Sequence, residues 1–321
     1  MSPQGLNEKK SSALLLRLGG LGDLLAVLPS LRLLRDAFPG FALHLLGRRD
    51  YGELFLDRGV VDAVHSADDA IWLPLFHQPG PAPAGSAGRL AGYDLGVGWF
   101  TSSAAARPFL GERAESPSGF AWHVFIYKPE SGLPVSRFFF KATRSFAGRR
   151  ASATATFEDY GRLPGVPAGP RARFAVIHPG SGAVRKCWPL DRFLDIASFL
   201  GGNGFTGAIV TGDAEERLDA DLASAVLPPG WRLLRRPALA ELARTLESAA
   251  LYVGNDSGVT HLAAACGTPV VALFLKENEA AWRPYGRPVV LAAAAMDRLS
   301  VRGVREAIAR TPVFSPSREL C

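Results

Sequence analysis

An aspartate closes a glycine-rich turn near the start of the chain. The apolar run 12–18 leads into Gly19, Gly20, Gly22 and Asp23, in the sequence GGLGD, and an apolar helical pattern follows. The turn has the layout of a dinucleotide site, but no third glycine stands at the G-x-G-x-x-G spacing and a carboxylate would repel a pyrophosphate. Asp23 therefore either caps the helix N-terminus, where its charge favours the dipole, or serves as a general base for an incoming hydroxyl. The residues alone leave both interpretations open.

A second turn, HPGSGAVRKCWP at 178–189, follows the apolar run 173–178 and carries a hydroxyl and a cation. The amides and the hydroxyl around Ser181 can face phosphate oxygens, and Lys186 adds a mobile positive charge. A tight strand-to-helix turn without a ligand is the alternative. We predict that Ser181 and Lys186 contact a phosphate group.

A third turn, TGDAEE at 211–216, places acids directly after another apolar run. An acid at the end of a parallel strand can hold the hydroxyls of a ribose. Glu215 is the first candidate and Glu216 the second. Acids are also common in the first turn of a helix because they favour its dipole, so the pattern is not specific by itself.

The fourth stretch is VGNDSGVTHLAAACGTPVVALF, at 253–274. Ser257 and Gly258 expose first-turn amides of a small-residue helix, which is an anion site strengthened by the helix dipole. His261 lies three residues further and is near enough for the same ligand. The alternative is a structural one, in which Asp256 caps the helix and His261 is a buried hydrogen-bonding residue.

Metal and cofactor sites are not indicated. The one D-x-D pair, Asp219 and Asp221, falls in a predicted helix, where residues two apart do not face each other. The six histidines contain no pair four residues apart. We predict a chemistry without metal or cofactor, in which amides and Lys186 stabilise a leaving phosphate.

Strand-length apolar runs alternate with longer helical patterns along the chain, which predicts a doubly wound α/β architecture with parallel sheets. The strands are predicted at 12–18, 41–47, 93–98, 173–178, 206–211, 250–254 and 269–274, and helices at 190–201, 214–226, 238–249 and 258–266. A Pro- and Gly-rich stretch at 160–173 is typical of a linker. We predict two domains, 1–165 and 166–321.

Composition limits the class of protein. Hydrophobic residues make up 48% and charged residues 21%, as in globular proteins with a full core, and the net charge of +6 is spread evenly over both halves. This even spread does not favour nucleic-acid binding. Three unpaired-looking cysteines, no signal-peptide pattern and no apolar run long enough to span a bilayer predict a cytoplasmic protein. The basic, Phe-rich run 136–150 contacts a membrane surface or an anionic acceptor, or is simply a helix with one buried aromatic side.

Taken in order, these stretches resemble glycosyltransferase family 9, the bacterial lipopolysaccharide heptosyltransferases. The residues that carry the resemblance are RLGGLGDLLAVLPSL, PGSGAVRKCWP, TGDAEE and DSGVTHLAAACGTPVVALF. The resemblance spans most of the chain. It implies a GT-B fold, with two Rossmann-like domains facing a cleft, and inverting, metal-independent transfer of heptose from ADP-heptose to a lipopolysaccharide core acceptor.

The resemblance also implies roles for individual residues. Asp23 matches the family's base. The donor contacts it implies are Ser181 and Lys186 for the diphosphate, Glu215 for the ribose, and Asp256, Ser257, Gly258 and His261 in the donor loop.

Acceptor recognition is expected in the first half, where residues 112–150 depart from the family pattern. Gly22, Arg48 and Arg107 are the candidate acceptor contacts, although the two arginines are equally explained as solvated surface charges. The expected partners are a nucleotide-sugar donor, a lipopolysaccharide core or related glycan, and the cytoplasmic face of the inner membrane. A family member that uses another nucleotide sugar or glycan, and a non-catalytic sugar-nucleotide-binding protein, are the alternatives.

Overall fold

The structure is a computed structural model of the 321-residue chain and describes residues 11–76, 90, 92–110, 120–167, 169 and 171–314. The chain divides into two compact units. Unit 1 comprises 1–19, 29–128 and 138–155, and unit 2 comprises 20–28, 129–137 and 156–321. Asp23 therefore belongs to unit 2 although it follows the first strand of unit 1. The division at residue 165 into acceptor and donor domains stays a prediction.

Unit 1 is built on a parallel five-stranded sheet. Its strands are β1 (Ser12–Leu16), β2 (Ala42–Gly47), β3 (Ala63–Ser66), β4 (Leu95–Phe100) and β5 (Trp122–Ile126), in the spatial order β3-β2-β1-β4-β5. The central strand β1 is buried from Ala13 to Leu16. It is a continuous apolar run because helices or loops cover both faces of a parallel sheet.

Unit 2 is built on a parallel six-stranded sheet. Its strands are β6 (Phe174–His178), β7 (Thr206–Thr211), β8 (Trp231–Arg235), β9 (Leu251–Asn255), β10 (Val270–Leu275) and β11 (Val289–Ala293), in the order β11-β10-β9-β6-β7-β8. From the other edge this is the 3-2-1-4-5-6 order of a doubly wound sheet, in which ligands bind where the order reverses. The reversal lies between β6 and β9.

Helices connect the strands. In chain order they are α1 (Leu21–Ala26), α2 (Leu28–Ala37), α3 (Arg49–Asp57), α4 (Ser103–Ala106), α5 (Val135–Ala147), α6 (Phe157–Tyr160), α7 (Leu190–Gly202), α8 (Asp219–Ser224), α9 (Leu239–Ser248), α10 (Gly258–Ala265), α11 (Lys276–Trp282) and α12 (Val301–Ala309). No helix in the described ranges is long and apolar enough to cross a membrane.

The predicted α/β class and all seven predicted strands are confirmed, and the described residues contain four further strands that were missed. The missed strands are β3, β5, β8 and β11, which form the two edges of each sheet. Their residues are only partly buried, whereas the central strands are buried almost throughout. The strands β3 (AVHS) and β8 (WRLLR) mix polar and apolar residues, so they lack the continuous apolar run that predicts a buried strand.

The predicted helix after Asp23 is two helices. The apolar spacing of Leu24, Leu28 and Leu31 predicts one helix with these residues on one face, but α1 ends at Ala26 and α2 begins at Leu28. Pro29 has no N–H, so a continuous helix would lose the bond from that position to the carbonyl four residues earlier. The proline therefore sets α1 as a separate short helix.

The helix predicted at 214–226 is also shorter than expected. Residues Asp213–Leu218 form a 3-10 helix, and only α8 is α-helical. In contrast, the basic, Phe-rich run does form a helix, α5, with Phe139 and Phe140 buried and Lys141 exposed. Its contact with a membrane stays a prediction, and residues 112–119 of the divergent stretch lie outside the described residues.

Candidate active site

Three loops of unit 2 follow neighbouring strands and meet at the carboxyl edge of the sheet. They are the loop after β6, the loop after β7 and the turn from β9 into α10. Since β9, β6 and β7 are adjacent, side chains from residues far apart in the sequence converge there. These loops contain every donor-site residue that the sequence predicts.

A buried asparagine fastens the loop after β6 to the end of β9. Asn255 is fully buried, and its Nδ2 donates to the carbonyl oxygen of Pro179 at 2.8 Å. Its Oδ1 accepts from the backbone N–H of Trp188 at 3.0 Å. The Ser181 hydroxyl adds a third tie, donating to the carbonyl oxygen of Asp256 at 2.6 Å. Ser181 therefore lies in the predicted site, and its hydroxyl proton is hydrogen-bonded to a backbone carbonyl oxygen.

The carboxylate of Asp256 holds the predicted phosphate-binding lysine. Asp256 Oδ2 lies 2.9 Å from Lys186 Nζ and accepts a second bond from Asn278 Nδ2 at 3.1 Å. The carboxylate is almost fully buried, whereas the Lys186 side chain is one quarter exposed. A lysine ammonium has three donors, so one bond to Asp256 leaves two that can face a ligand. The alternative in which Asp256 caps the helix is wrong, because Ser257 occupies the N-cap position of α10.

The N-terminus of α10 is fixed by hydroxyl groups. Ser257 occupies the N-cap position, and its Oγ accepts from the backbone N–H of Thr260. The Thr260 hydroxyl in turn donates to the carbonyl oxygen of Asn255 and lies 2.9 Å from the Tyr252 hydroxyl. The first-turn amides after Ser257 are thereby held in place at the sheet reversal, as the anion-site prediction requires.

A buried histidine connects the predicted ribose acid to the α10 cap. Glu215 Oε2 accepts from the backbone N–H of Gly212 at 2.7 Å and lies 3.6 Å from His178 Nε2. The other ring nitrogen, His178 Nδ1, lies 3.2 Å from Ser257 Oγ. A β-carbon on Gly180 would lie 2.1 Å from the Glu215 carboxyl carbon, so this side chain packs where only glycine leaves room.

Helix α1 packs against the N-terminus of α10 within unit 2. A β-carbon on Gly22 would lie 3.3 Å from the His261 ring, and one on Gly258 would lie 2.8 Å from Leu21 Cβ. These two glycines let the helices approach closely. The half-buried Asp23 is placed beside the donor loop by this contact, and its charge acts on His261.

Asp23 does cap its own helix. Its Oδ2 accepts from the backbone N–H of Gly20 at 3.0 Å, three residues earlier, as an acid does in a capping box. The structural interpretation of Asp23 is therefore confirmed. It does not conflict with a second role, because a carboxylate has acceptor sites for several hydrogen bonds.

His261 is neutral at physiological pH. Burial lowers its pKa from 6.5 to about 4, and the opposing effects of the Asp256 and Asp23 charges do not offset this loss of hydration. Its ring contacts Trp282 edge-on at 6.3 Å between centroids. Lys186 is therefore the positive charge that lies against Asp256, and His261 is not.

The two predicted acceptor arginines lie in unit 1. Arg48 follows β2, bonds Asp50 through two nitrogens and stacks 4.5 Å from the Tyr51 ring. The bond to Asp50 raises the pKa of Arg48. Arg107 begins a 3-10 helix beyond β4 and is exposed. Each follows a strand of the first sheet, and their contact with an acceptor stays a prediction.

Three site residues were missed from the sequence: Asn255, His178 and Asn278. The first two stand inside the motifs, but no pattern reveals that Asn255 ties two loops together or that His178 touches Glu215. Asn278 lies on α11, outside the motifs, and reaches Asp256 only because β10 runs beside β9.

The geometry defines a class of protein: a doubly wound α/β protein whose loops after β6, β7 and β9 converge at the carboxyl edge of the sheet, with Asp23 in the same unit. The model of glycosyltransferase family 9 (heptosyltransferase) matches residues 127–299, more than half of the chain. The chain belongs to glycosyltransferase family 9, as its sequence motifs predict.

Individual relatives match over shorter segments. Lipopolysaccharide heptosyltransferase 3 of Escherichia coli is 28% identical over 126 residues, which are 38% of this chain and 37% of the relative. Lipopolysaccharide heptosyltransferase 1 of Pseudomonas aeruginosa is 34% identical over 134 residues, 41% of this chain and 38% of that protein. The chain thus matches less than two fifths of the length of these relatives.

Solved structures match over nearly the whole chain. Escherichia coli heptosyltransferase WaaC with ADP has a TM-score of 0.68 at 16% identity and covers 92% of this chain and 98% of its own. Escherichia coli ADP-heptose lps heptosyltransferase II has a TM-score of 0.70 at 14% identity, with 92% and 97% covered. The predicted fold class, that of GT-B glycosyltransferases, is confirmed.

Proposed function

We propose that this protein is an inverting, metal-independent glycosyltransferase that moves heptose from ADP-heptose to a lipopolysaccharide inner-core acceptor. The observation that carries the proposal is the packing of α1 on α10, which brings Asp23 into the same unit as the donor loops. A base and an anion-binding site side by side are what glycosyl transfer from a sugar diphosphate requires.

The donor diphosphate binds at the sheet reversal in this proposal. The Lys186 ammonium and the first-turn amides at Ser257 and Gly258 neutralise the phosphate charge. Ser181 fixes the loop and adds a hydroxyl oxygen at the same edge. The Glu215 carboxylate, held by Gly212 and His178, accepts from the ribose hydroxyls.

The reaction exchanges one bond for another at the anomeric carbon. The acceptor hydroxyl oxygen attacks that carbon from the face opposite the diphosphate, and its proton passes to Asp23. The bond from the anomeric carbon to the diphosphate oxygen breaks, and ADP leaves with the electron pair on its phosphate. Asp23 accepts the proton late, when the attacking oxygen has become acidic.

The acceptor is the least constrained partner. The names of the relatives support a lipopolysaccharide acceptor, and the exposed Lys141 on α5 suits work at the cytoplasmic face of the inner membrane. Gly22, Arg48 and Arg107 are proposed to contact the acceptor, the arginines through its anionic groups.

A thermal-shift panel tests the donor. The purified protein is melted with ADP-, GDP- and UDP-linked sugars, each with and without EDTA. A ligand at a hundred times its dissociation constant adds about 2.7 kcal/mol of stability. We expect a shift with ADP-sugars alone that EDTA does not change. A shift with another nucleotide reassigns the donor, and a shift that EDTA abolishes refutes metal independence.

A further inference from the structure

A buried histidine stands between the two parts of unit 2 that are proposed to hold the ribose and the diphosphate. His178 is the last residue of β6 and pairs with Gly254 of β9. On its other side, β6 pairs with β7. Because β6 lies between these two strands, a side chain at its carboxyl end reaches both the loop after β7 and the turn from β9 into α10. The His178 ring contacts one residue from each of them, Glu215 and Ser257.

The two contacts of the ring differ in kind. His178 Nδ1 lies 3.2 Å from Ser257 Oγ, which is a hydrogen-bond distance. His178 Nε2 lies 3.6 Å from Glu215 Oε2, which is too far for a hydrogen bond but near enough for attraction between a carboxylate and an N–H dipole. The two side chains are only 5% and 4% exposed, so water screens this attraction weakly. The position of the ring proton therefore acts directly on Glu215.

The charge of Glu215 determines which ring nitrogen carries the proton. A neutral imidazole has a proton on one nitrogen and a lone pair on the other. A lone pair on Nε2 would face the carboxylate and be repelled by it, so the proton belongs on Nε2 and Nδ1 accepts. The Ser257 hydroxyl then donates to Nδ1, while its oxygen accepts from the Thr260 N–H at the N-cap of α10. The ring thus connects the α10 cap to Glu215 with its N–H towards the carboxylate.

The contact with His178 anchors Glu215 outside its own loop. Glu215 lies in the 3-10 helix Asp213–Leu218, and its bond from the Gly212 N–H joins it to a residue of the same loop. His178 belongs instead to a central strand and is tied to the α10 cap. We propose that His178 is a positioning residue, which holds the Glu215 carboxylate in the orientation that accepts from the ribose hydroxyls. This inference rests on the proposed function, in which Glu215 binds the ribose of the donor.

Ribose recognition depends on His178 in this proposal, whereas recognition of the diphosphate does not depend on the contact between His178 and Glu215. The diphosphate is assigned to Lys186 and the first-turn amides of α10. The informative quantity is therefore the ratio of the affinities for ADP and for 2′,3′-dideoxy-ADP, which lacks both ribose hydroxyls. A histidine that merely supported the fold would change both affinities alike and leave this ratio unchanged.

Calorimetric titration of the full chain with ADP, 2′,3′-dideoxy-ADP and inorganic pyrophosphate tests the proposal. His178→Gln and His178→Asn are a matched pair, because the amide nitrogen of Gln takes the place of Nε2, whereas that of Asn takes only the place of Nδ1. The wild type should bind ADP at least about tenfold more tightly than the dideoxy compound, as expected for hydrogen bonds to a charged group. His178→Gln should keep this preference and His178→Asn should lose it. The affinity for pyrophosphate should be the same in all three proteins.

A cycle of variants shows whether His178 acts through Glu215. Adding His178→Asn to Glu215→Ala should not change the affinity ratio further, because the carboxylate that His178 positions is already gone. His178→Phe keeps an aromatic ring in the same space and carries the test if His178→Asn fails to fold.

The outcomes separate this inference from the proposed function. An undiminished preference for ADP in the His178 variant that folds, Asn or Phe, overturns the inference and leaves the proposed function in place. Equal affinity of the wild type for ADP and 2′,3′-dideoxy-ADP also overturns it, because Glu215 then binds no ribose hydroxyl. A wild type that binds neither ADP nor pyrophosphate contradicts the proposed function itself, and the inference with it.

Discussion

The loops after β1 and β6 occupy the same position in their sheets and have opposite chemistry. Each follows the first strand of a sheet whose strand order reverses beside it. The loop after β1 turns through glycines directly into α1 and presents the carboxylate of Asp23. The loop after β6 is tied down by Asn255 and presents the ammonium of Lys186 before α7 begins.

This difference shows that the fold sets the position of each loop, whereas the side chains in the loop determine its chemistry. A short glycine turn that ends in an acid suits proton transfer from a hydroxyl. A longer loop, braced by buried polar groups and carrying a lysine, suits a diphosphate. The glycine-rich look of the first loop is therefore explained by close packing of α1 on α10, and not by dinucleotide binding.

The largest expected effect comes from removing the negative charge of the first loop. Asp23→Asn should lower turnover about 10²- to 10⁴-fold, the usual contribution of a general base. Asn still accepts from the Gly20 N–H, so the melting temperature should hardly change. Initial rates of ADP release with acceptor present measure this, with Asp36→Asn, an exposed acid on α2, as the control. Wild-type turnover in Asp23→Asn would remove the base assignment.

Lowering the pH tests whether His261 or Lys186 provides the positive charge of the second loop. The folded-state pKa of His261, about 4, lies below its unfolded value of 6.5, so only the unfolded state binds the proton between these values. Stability should therefore fall as the pH is lowered through this window, by on the order of 3 kcal/mol from this residue. Urea unfolding at about pH 7 and pH 4.5 measures the loss.

His261→Gln is the matched variant for the acid experiment, because Gln does not titrate. It should lose less stability than the wild type over the same pH window. Equal pH dependence in both proteins would mean that the pKa of His261 is the same in the folded and unfolded states, which contradicts a neutral, buried ring.

Adding one methyl group at Gly180 should destabilise the loop after β6. In Gly180→Ala the new β-carbon falls 2.1 Å from the Glu215 carboxyl carbon, so Glu215 must move off the Gly212 N–H. Overpacking of this kind costs typically about 1–3 kcal/mol, and donor affinity should fall with it. Gly182→Ala is the control, since a β-carbon there meets nothing within 4 Å. Thermal melts and donor titrations that treat the two variants alike would refute the packing of Glu215 on Gly180.

The smallest expected effect concerns the second partner of Asp256. Asn278→Ala leaves the buried carboxylate with Lys186 and removes one bond at 3.1 Å, so we expect a loss of about 1–2 kcal/mol in the free energy of unfolding. Lys276→Ala, an exposed change on the same helix, should stay within about 0.5 kcal/mol of the wild type. Chemical denaturation distinguishes the two, and identical midpoints would show that Asn278 does not support Asp256.

Much of the fold could be predicted because the central strands are continuous apolar runs. The edge strands β3 and β8 could not, since their sequences AVHS and WRLLR mix polar and apolar residues on a partly exposed surface. In contrast, β11 (VVLAA) is a continuous apolar run and was missed all the same. The break between α1 and α2 runs against the apolar spacing of the leucines, because Pro29 has no N–H to continue the helix.

The candidate site could be predicted only as far as its motifs extend. Ser181, Lys186, Asp256 and Asp23 each follow a strand, and position after a strand is readable from the sequence. Asn278 could not be found in this way, because its contact with Asp256 arises from the pairing of β10 with β9. Contacts that depend on how strands pair leave no local pattern in the sequence.

The central claim is that the two loops have separate duties, proton transfer at Asp23 and donor binding at Lys186. The most direct test is to measure the ADP-heptose dissociation constant by calorimetry for the wild type, Asp23→Asn and Lys186→Gln. The account predicts wild-type affinity in Asp23→Asn and a loss of at least about tenfold, or about 1.4 kcal/mol, in Lys186→Gln. Equal loss of donor affinity in both variants, or loss in Asp23→Asn alone, would contradict it.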